Sequence, residues 1–271
     1  MLALVVILGL AGYAAFARLV SAADVHTGDA AAHGAAVIRW RLHSRFVHQT
    51  LPVTAATPPG GGAGRPLLVF LHGRGVNGNE SNANDAFFAA LAAQGARAPD
   101  VVFPNGGDHS YWHARGSGRW DRYVLDEVIP QAIARLGADP KRIAIGGISM
   151  GGFGAFDLAR RRPGMFCAVG GHSAAIWTSA GATAPGAFDN AADFARNDVV
   201  ALARANGRAP WGKAQLWLDG GTGDPFRSAN ESFGAALHLG VRHWPGGHDS
   251  SYWSAHYGAY LAFYAHALAR C

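Results

Sequence analysis

Apolar positions along this chain fall into two alternating patterns. From residue 67 onward, short runs that are apolar almost throughout, "PLLVFLHG", "DVVFPNG", "RIAIGGIS", "CAVGGHS", "QLWLDGG" and "VRHWPGG", take turns with longer stretches. In the longer stretches apolar residues recur at helical spacing, which predicts helices near 82–94, 121–136, 151–162, 190–205, 226–239 and 252–269. Strands that are apolar on both faces must be covered on both faces, and strand-helix alternation makes neighbouring strands parallel. The pattern therefore predicts an α/β fold, a mostly parallel sheet with helices on both sides. Two earlier runs, "VIRWRLHS" and "FVHQTLPV", are separated by only a short turn and predict an antiparallel N-terminal edge. "PPGGGAG", residues 58–64, reads as a flexible connector, and no internal repeat is visible.

The N-terminus departs from this pattern. It is apolar from Leu2 to Ala17, which is long for the core of a signal peptide and short for a membrane span. Ser21, Ala22 and Ala23 could form a cleavage site. Residues 1–23 are read as a signal peptide or membrane anchor, 24–36 as a linker, and 37–271 as one α/β domain. The protein is expected to be exported, either secreted or held in the cell envelope.

Composition adds few constraints. Of 271 residues, 49% are hydrophobic and 15% charged, so the chain is globular and can bury a sizeable core. The formal charge of +5 comes from scattered arginines. Their one run, Arg160-Arg161-Arg162, falls at a predicted helix end before Pro163, where cations complement the helix dipole. No nucleic-acid partner is expected, and membrane contact is expected only through the N-terminal segment if it stays uncleaved. Two cysteines, Cys167 and Cys271, could pair in an exported protein. Cys167 lies in the strand-like "MFCAVGG", however, and a buried free thiol is the expectation.

Several predicted strands end in glycine or a polar residue: His72-Gly73, Asn105-Gly106, Ser149, His172, Asp219-Gly220 and His248. Chemistry gathers at such carboxyl ends in open α/β sheets. Gly147-Ile148-Ser149-Met150-Gly151 fits G-x-S-x-G, between the strand "RIAI" and an apolar helix. A serine on that tight turn has strained backbone angles, small neighbours two residues away, and a helix N-terminus aimed at its hydroxyl. The hydroxyl needs a base. Among 13 histidines, His248 follows a strand-like segment in "PGGHDSSYW", where glycines let a loop approach the serine. His109 and His113 have metal-ligand spacing, but their stretch reads as a loop, and neither a metal nor a cofactor is expected. "WLDGGTGDPF" offers two carboxylates. Asp224 lies in the loop beyond the strand and is read as the acid that orients His248, while Asp219 at the strand end is read as a cap or turn residue. The order Ser149, Asp224, His248 is that of the α/β-hydrolases. Oxyanion donors are expected from the backbone N–H of Met150 and, after the strand "VFLHGRG", of Arg74.

With those motifs in place the chain resembles the esterase D-like branch of the α/β-hydrolases, over roughly residues 37–268. That branch includes S-formylglutathione hydrolases, feruloyl and other carbohydrate esterases, and the mycolyltransferases. The resemblance rests on "LVFLHGRG", "GRWDRYVLDEVIP", "IGGISMGGFGAF", "LDGGTGD" and "GGHDSSYW". It implies Ser149 as nucleophile, Asp224 as acid, His248 as base, and Arg74 and Met150 as oxyanion donors. The chain departs from the branch in lacking a cysteine before the acid, and His72 stands where mycolyltransferases carry an acidic residue.

Three functions compete. A serine carboxylesterase acting on a small-molecule or carbohydrate ester is favoured, because the Ser/Asp/His set is intact. An acyltransferase of the mycolyltransferase type would move the acyl group to a sugar hydroxyl. A non-catalytic binding protein on the same fold is the third. His72, Trp112, Trp120, His172, Trp177 and Trp253 are candidate pocket residues, each with core packing as its alternative role.

Overall fold

In a computed structural model, residues 25–26, 32–75 and 82–271 are described. The expected signal peptide or anchor, residues 1–23, lies outside them. No helix among the described residues is long and apolar enough to cross a membrane.

The main sheet contains β1 (Val25–His26), β2 (Ala36–Ser44), β3 (Gln49–Thr57), β4 (Leu67–Leu71), β5 (Asp100–Pro104), β8 (Ile143–Ile148), β9 (Ala168–His172), β10 (Gln215–Gly221) and β11 (Arg242–Trp244). A separate hairpin pairs β6 (Ala114–Arg115) with β7 (Gly118–Arg119). The strand order is β1-β2-β3-β5-β4-β8-β9-β10-β11. Pairings from β5 through β11 are parallel, while β1, β2 and β3 form the antiparallel edge that the sequence predicts. Val25 and His26 pair with Ile38 and Val37, so part of the stretch read as a linker lies on the sheet.

Seven helices serve as landmarks: α1 (Asp85–Ala92), α2 (residues 120–136), α3 (Met150–Arg160), α4 (Ala191–Asn197), α5 (Val199–Asn206), α6 (Arg227–Ala236) and α7 (Ser250–Leu268). The run read as one helix over 190–205 is two, broken where Asp198 caps α5 by accepting from Val200 and Ala201 N–H. Alternate residues of β4 divide between two cores. Leu67, Val69 and Leu71 pack with α2 and α3, whereas Leu68 and Phe70 pack with α1 and α7. Both faces are therefore dry, as wholly apolar strands require.

One expectation changes and another is extended. Cys167 and Cys271 are paired, with Cα atoms 5.8 Å apart, because the C-terminus of α7 returns to the start of β9; neither is a free thiol. The arginine run sits at the end of α3 as expected, and it also binds carboxylates, two of the arginines within their own helix. Arg160 and Arg161 grip the buried Asp157, and Arg162 reaches Asp126.

Candidate active site

The elbow forms where β8 meets α3. Ser149 has φ +55° and ψ −114°, a conformation that side chains rarely adopt. Its N–H donates to the His172 carbonyl at 2.9 Å, and its own carbonyl accepts from Ala175 N–H at 2.9 Å. These bonds hold the strained turn. Gly147 must be glycine, since a Cβ there would stand 2.5 Å from the Leu71 carbonyl oxygen; a Cβ on Gly151 would strike the same oxygen.

Three predicted residues meet at this turn. His248 Nε2 lies 2.9 Å from Ser149 Oγ, and His248 Nδ1 lies 3.0 Å from Asp224 Oδ2. A carboxylate only accepts, so Nδ1 carries the proton and Nε2 is free to accept from the serine hydroxyl. Burial pushes the Asp224 pKa up, but hydrogen bonds from His248 and Phe226 N–H outweigh it and hold the carboxyl below its usual range. The Asp224 and His248 loops are stitched together, Thr222 N–H donating to the Trp244 carbonyl and Gly223 N–H to that of Gly246. Phe226 and Trp253 rings flank the imidazole at 5.0 and 5.3 Å.

Gly73 faces the elbow from the end of β4, close enough that a Cβ there would be 3.3 Å from that of Ser149. His72, expected in the pocket, is buried beneath this loop instead. Its Nδ1–H donates to the Gly73 carbonyl at 2.6 Å, and its Nε2 accepts from Gly106 N–H at 2.9 Å. Burial lowers its pKa to about 4, so it is neutral near pH 7. In a trans peptide the carbonyl and the next N–H point opposite ways. The bond to the Gly73 carbonyl therefore turns the Arg74 N–H away from His72.

Ser149, His248, Gly73 and Arg74 open on a cavity of about 630 Å³. Tyr111, Phe226 and Trp253 give it apolar surface, and Asn82, Asn84, Ser254 and Tyr257 give it polar surface. Trp253 alone of the six candidate pocket residues lines it. Trp112 is fully buried against His72, and Trp120 is buried against Tyr123. Trp177 packs behind Tyr111 and Phe226. His172 is buried under the elbow, bonded through Nδ1 to Asp219 at 2.6 Å. In each case the ring is held in the core by its packing or hydrogen-bond partners, which the sequence pattern does not show. His109 is exposed, whereas His113 is buried at 3.3 Å from Asn197 Nδ2. Of the lining residues that the sequence reading missed, Tyr111 and Phe226 stand beside flagged motifs, and Asn84 carries the N-cap signal of α1. Asp219 is no turn cap; it is the buried centre of a polar network.

The chain matches a family profile described as "Putative esterase" over residues 44–264. It is 32% identical over 93 residues to the MPT51 antigen of Mycobacterium leprae, covering 33% of this chain and 31% of that protein. The chain thus spans about a third or less of the curated relatives it matches. Among solved structures, a ferulic acid esterase aligns with a TM-score of 0.74 at 23% identity, covering 86% of this chain and 98% of that one. An S-formylglutathione hydrolase from Agrobacterium tumefaciens aligns with a TM-score of 0.74 at 17% identity, covering 90% and 98%. At these identities the structures establish the shared fold. With the profile spanning the sheet from β3 to the last turns of α7, the chain belongs to the "Putative esterase" family, on an α/β-hydrolase fold.

Proposed function

We propose that the protein is a serine carboxylesterase that works through an acyl-enzyme on Ser149, with His248 as general base and acid and Asp224 as its orienting carboxylate. The observation that carries this reading is the unbroken chain of hydrogen bonds from Ser149 Oγ through His248 to Asp224, on an elbow with φ +55°. His248 Nε2 takes the hydroxyl proton as Oγ attacks the ester carbon, and the carbonyl oxygen becomes an oxyanion. The N–H groups of Arg74 and Met150 receive that charge, aided by the N-terminus of α3. The imidazolium then gives its proton to the departing alcohol, and water repeats the sequence to release the acid and free Ser149.

The cavity has the dimensions of sites that hold small ligands, and its mixture of rings and amides suits a short or aromatic acyl ester of a polar alcohol. Export is part of the proposal; a disulfide that closes a loop of 104 residues suits an oxidising compartment.

Labelling with a fluorophosphonate tests the site. Ser149 in the native protein is expected to label, and Ser149→Ala is expected to abolish both labelling and hydrolysis of p-nitrophenyl esters. Persistent labelling of the variant refutes the nucleophile. Supplying an acyl donor with trehalose or another sugar in water separates the acyltransferase, since acyl-sugar as the main product would overturn hydrolysis.

A further inference from the structure

We infer that Tyr252 is a positioning residue for His248, a strut footed on the buried Asp219 carboxylate that sets where the loop carrying the base can stand. The inference rests on the Ser149–His248–Asp224 reading above.

Asp219 sits at the end of β10 with no exposed surface. Four donors replace water around it. Trp217 Nε1–H and His172 Nδ1–H reach Oδ1, each at 2.6 Å. The hydroxyls of Tyr252 and Tyr260 reach Oδ2 at 3.1 and 2.9 Å. Burial and the neighbouring carboxylate raise the pKa of both tyrosines, so each stays a donor. A carboxylate held from four directions cannot drift.

His248, by contrast, follows Gly246 and Gly247, the two residues most able to let a loop wander. Tyr252 removes that freedom. Its ring lies against Gly246, where an added Cβ would stand 2.7 Å from the ring. Its N–H donates to Asp249 Oδ1 at 3.1 Å, closing the other end of the loop. The Gly246 carbonyl in turn accepts from Gly223 N–H, beside Asp224. The Tyr252 ring therefore props the base loop at Gly246, and through Gly246 one edge of the acid loop, while the backbone N–H of Tyr252 ties the loop end to the Asp249 cap.

Tyr260 provides the matched comparison: it bonds the same carboxylate oxygen from the same helix, but its ring contacts are His172, His256 and Tyr257, away from the loop. Tyr252→Phe is expected to lower kcat about 10-fold with KM unchanged and to slow fluorophosphonate labelling by a similar factor, as small misplacements of a catalytic group do. Tyr260→Phe is expected to lower the thermal midpoint by a comparable amount while kcat stays within about 2-fold. Equal kinetics for the two tyrosine variants, or a Tyr252→Phe variant that loses only thermal stability, would overturn the inference. With His248→Ala inactive, that result leaves the proposed chemistry standing; a His248→Ala variant with full activity would overturn both.

Discussion

Breaking the Cys167–Cys271 bond is expected to cost stability without costing activity. The bond closes a loop of 104 residues, reaching from the start of β9 to the last residue of the chain. Removing such a constraint from the unfolded state is worth about 4.7 kcal/mol by loop-closure entropy, with measured values often smaller. For a domain of this size each kcal/mol moves the thermal midpoint by about 2–4 °C, so a fall of about 5–15 °C is expected. The bond lies at the opposite end of β9 from His172 and the elbow, so kcat at 25 °C should not change. The assay is thermal unfolding of the native protein with and without dithiothreitol, set beside Cys271→Ser. Thiol titration of the denatured, unreduced protein should find none. Superimposable melting curves, or two titratable thiols, would refute the pairing and the magnitude together.

The two aspartates near the site should separate cleanly. Asp224→Asn is expected to lower kcat by about 10²–10⁴-fold while folding normally, as loss of an orienting carboxylate does. Asp219→Asn is expected mainly to lower the urea midpoint, because it disturbs a buried four-donor cluster, and through Tyr252 to lower kcat by about 10-fold, far less than Asp224→Asn; circular dichroism with steady-state kinetics reads both effects. At the other end of the sheet, neither Asp100 oxygen finds a hydrogen bond of good geometry. Burial pushes its pKa up to about 6, with Thr57 and Arg65 drawing it only part of the way back. Because the folded value lies above the unfolded one, Asp100 favours folding most below about pH 4, and that contribution is lost as pH rises through 6. Asp100→Asn is therefore expected to gain about 1–2 kcal/mol over the native chain at pH 8, after allowance for solvent screening, with the gain vanishing in acid. Urea titrations across that range measure it.

Hydrophobic period carried most of the fold. β4, β8 and β9 are apolar on both sides, so their burial could be read directly, and the G-x-S-x-G turn marked Ser149 because its glycines are demanded by the Leu71 carbonyl. Asp224 and His248 followed from their loops. Pocket walls were less legible. A tryptophan in sequence shows only a large ring, and whether Trp112 faces ligand or core depends on how its loop folds over His72. The role of Asp219 was hidden for a related reason: its four donors come from β9, β10 and α7, and only the closed sheet brings them to one carboxylate. The disulfide escaped because the length of α7, rather than any local signal, returns Cys271 to β9.

The left-handed backbone of Ser149 has an evolutionary consequence. At φ +55° a serine is strained by about 1–3 kcal/mol, whereas glycine would sit there at ease. The fold alone therefore selects against the residue on which the proposed chemistry depends. Once the hydroxyl is idle, no function opposes its loss, and a change that relieves the strain is free to drift in. In a lineage that kept this sheet for binding and abandoned turnover, replacement of this serine by glycine would be among the first changes to spread.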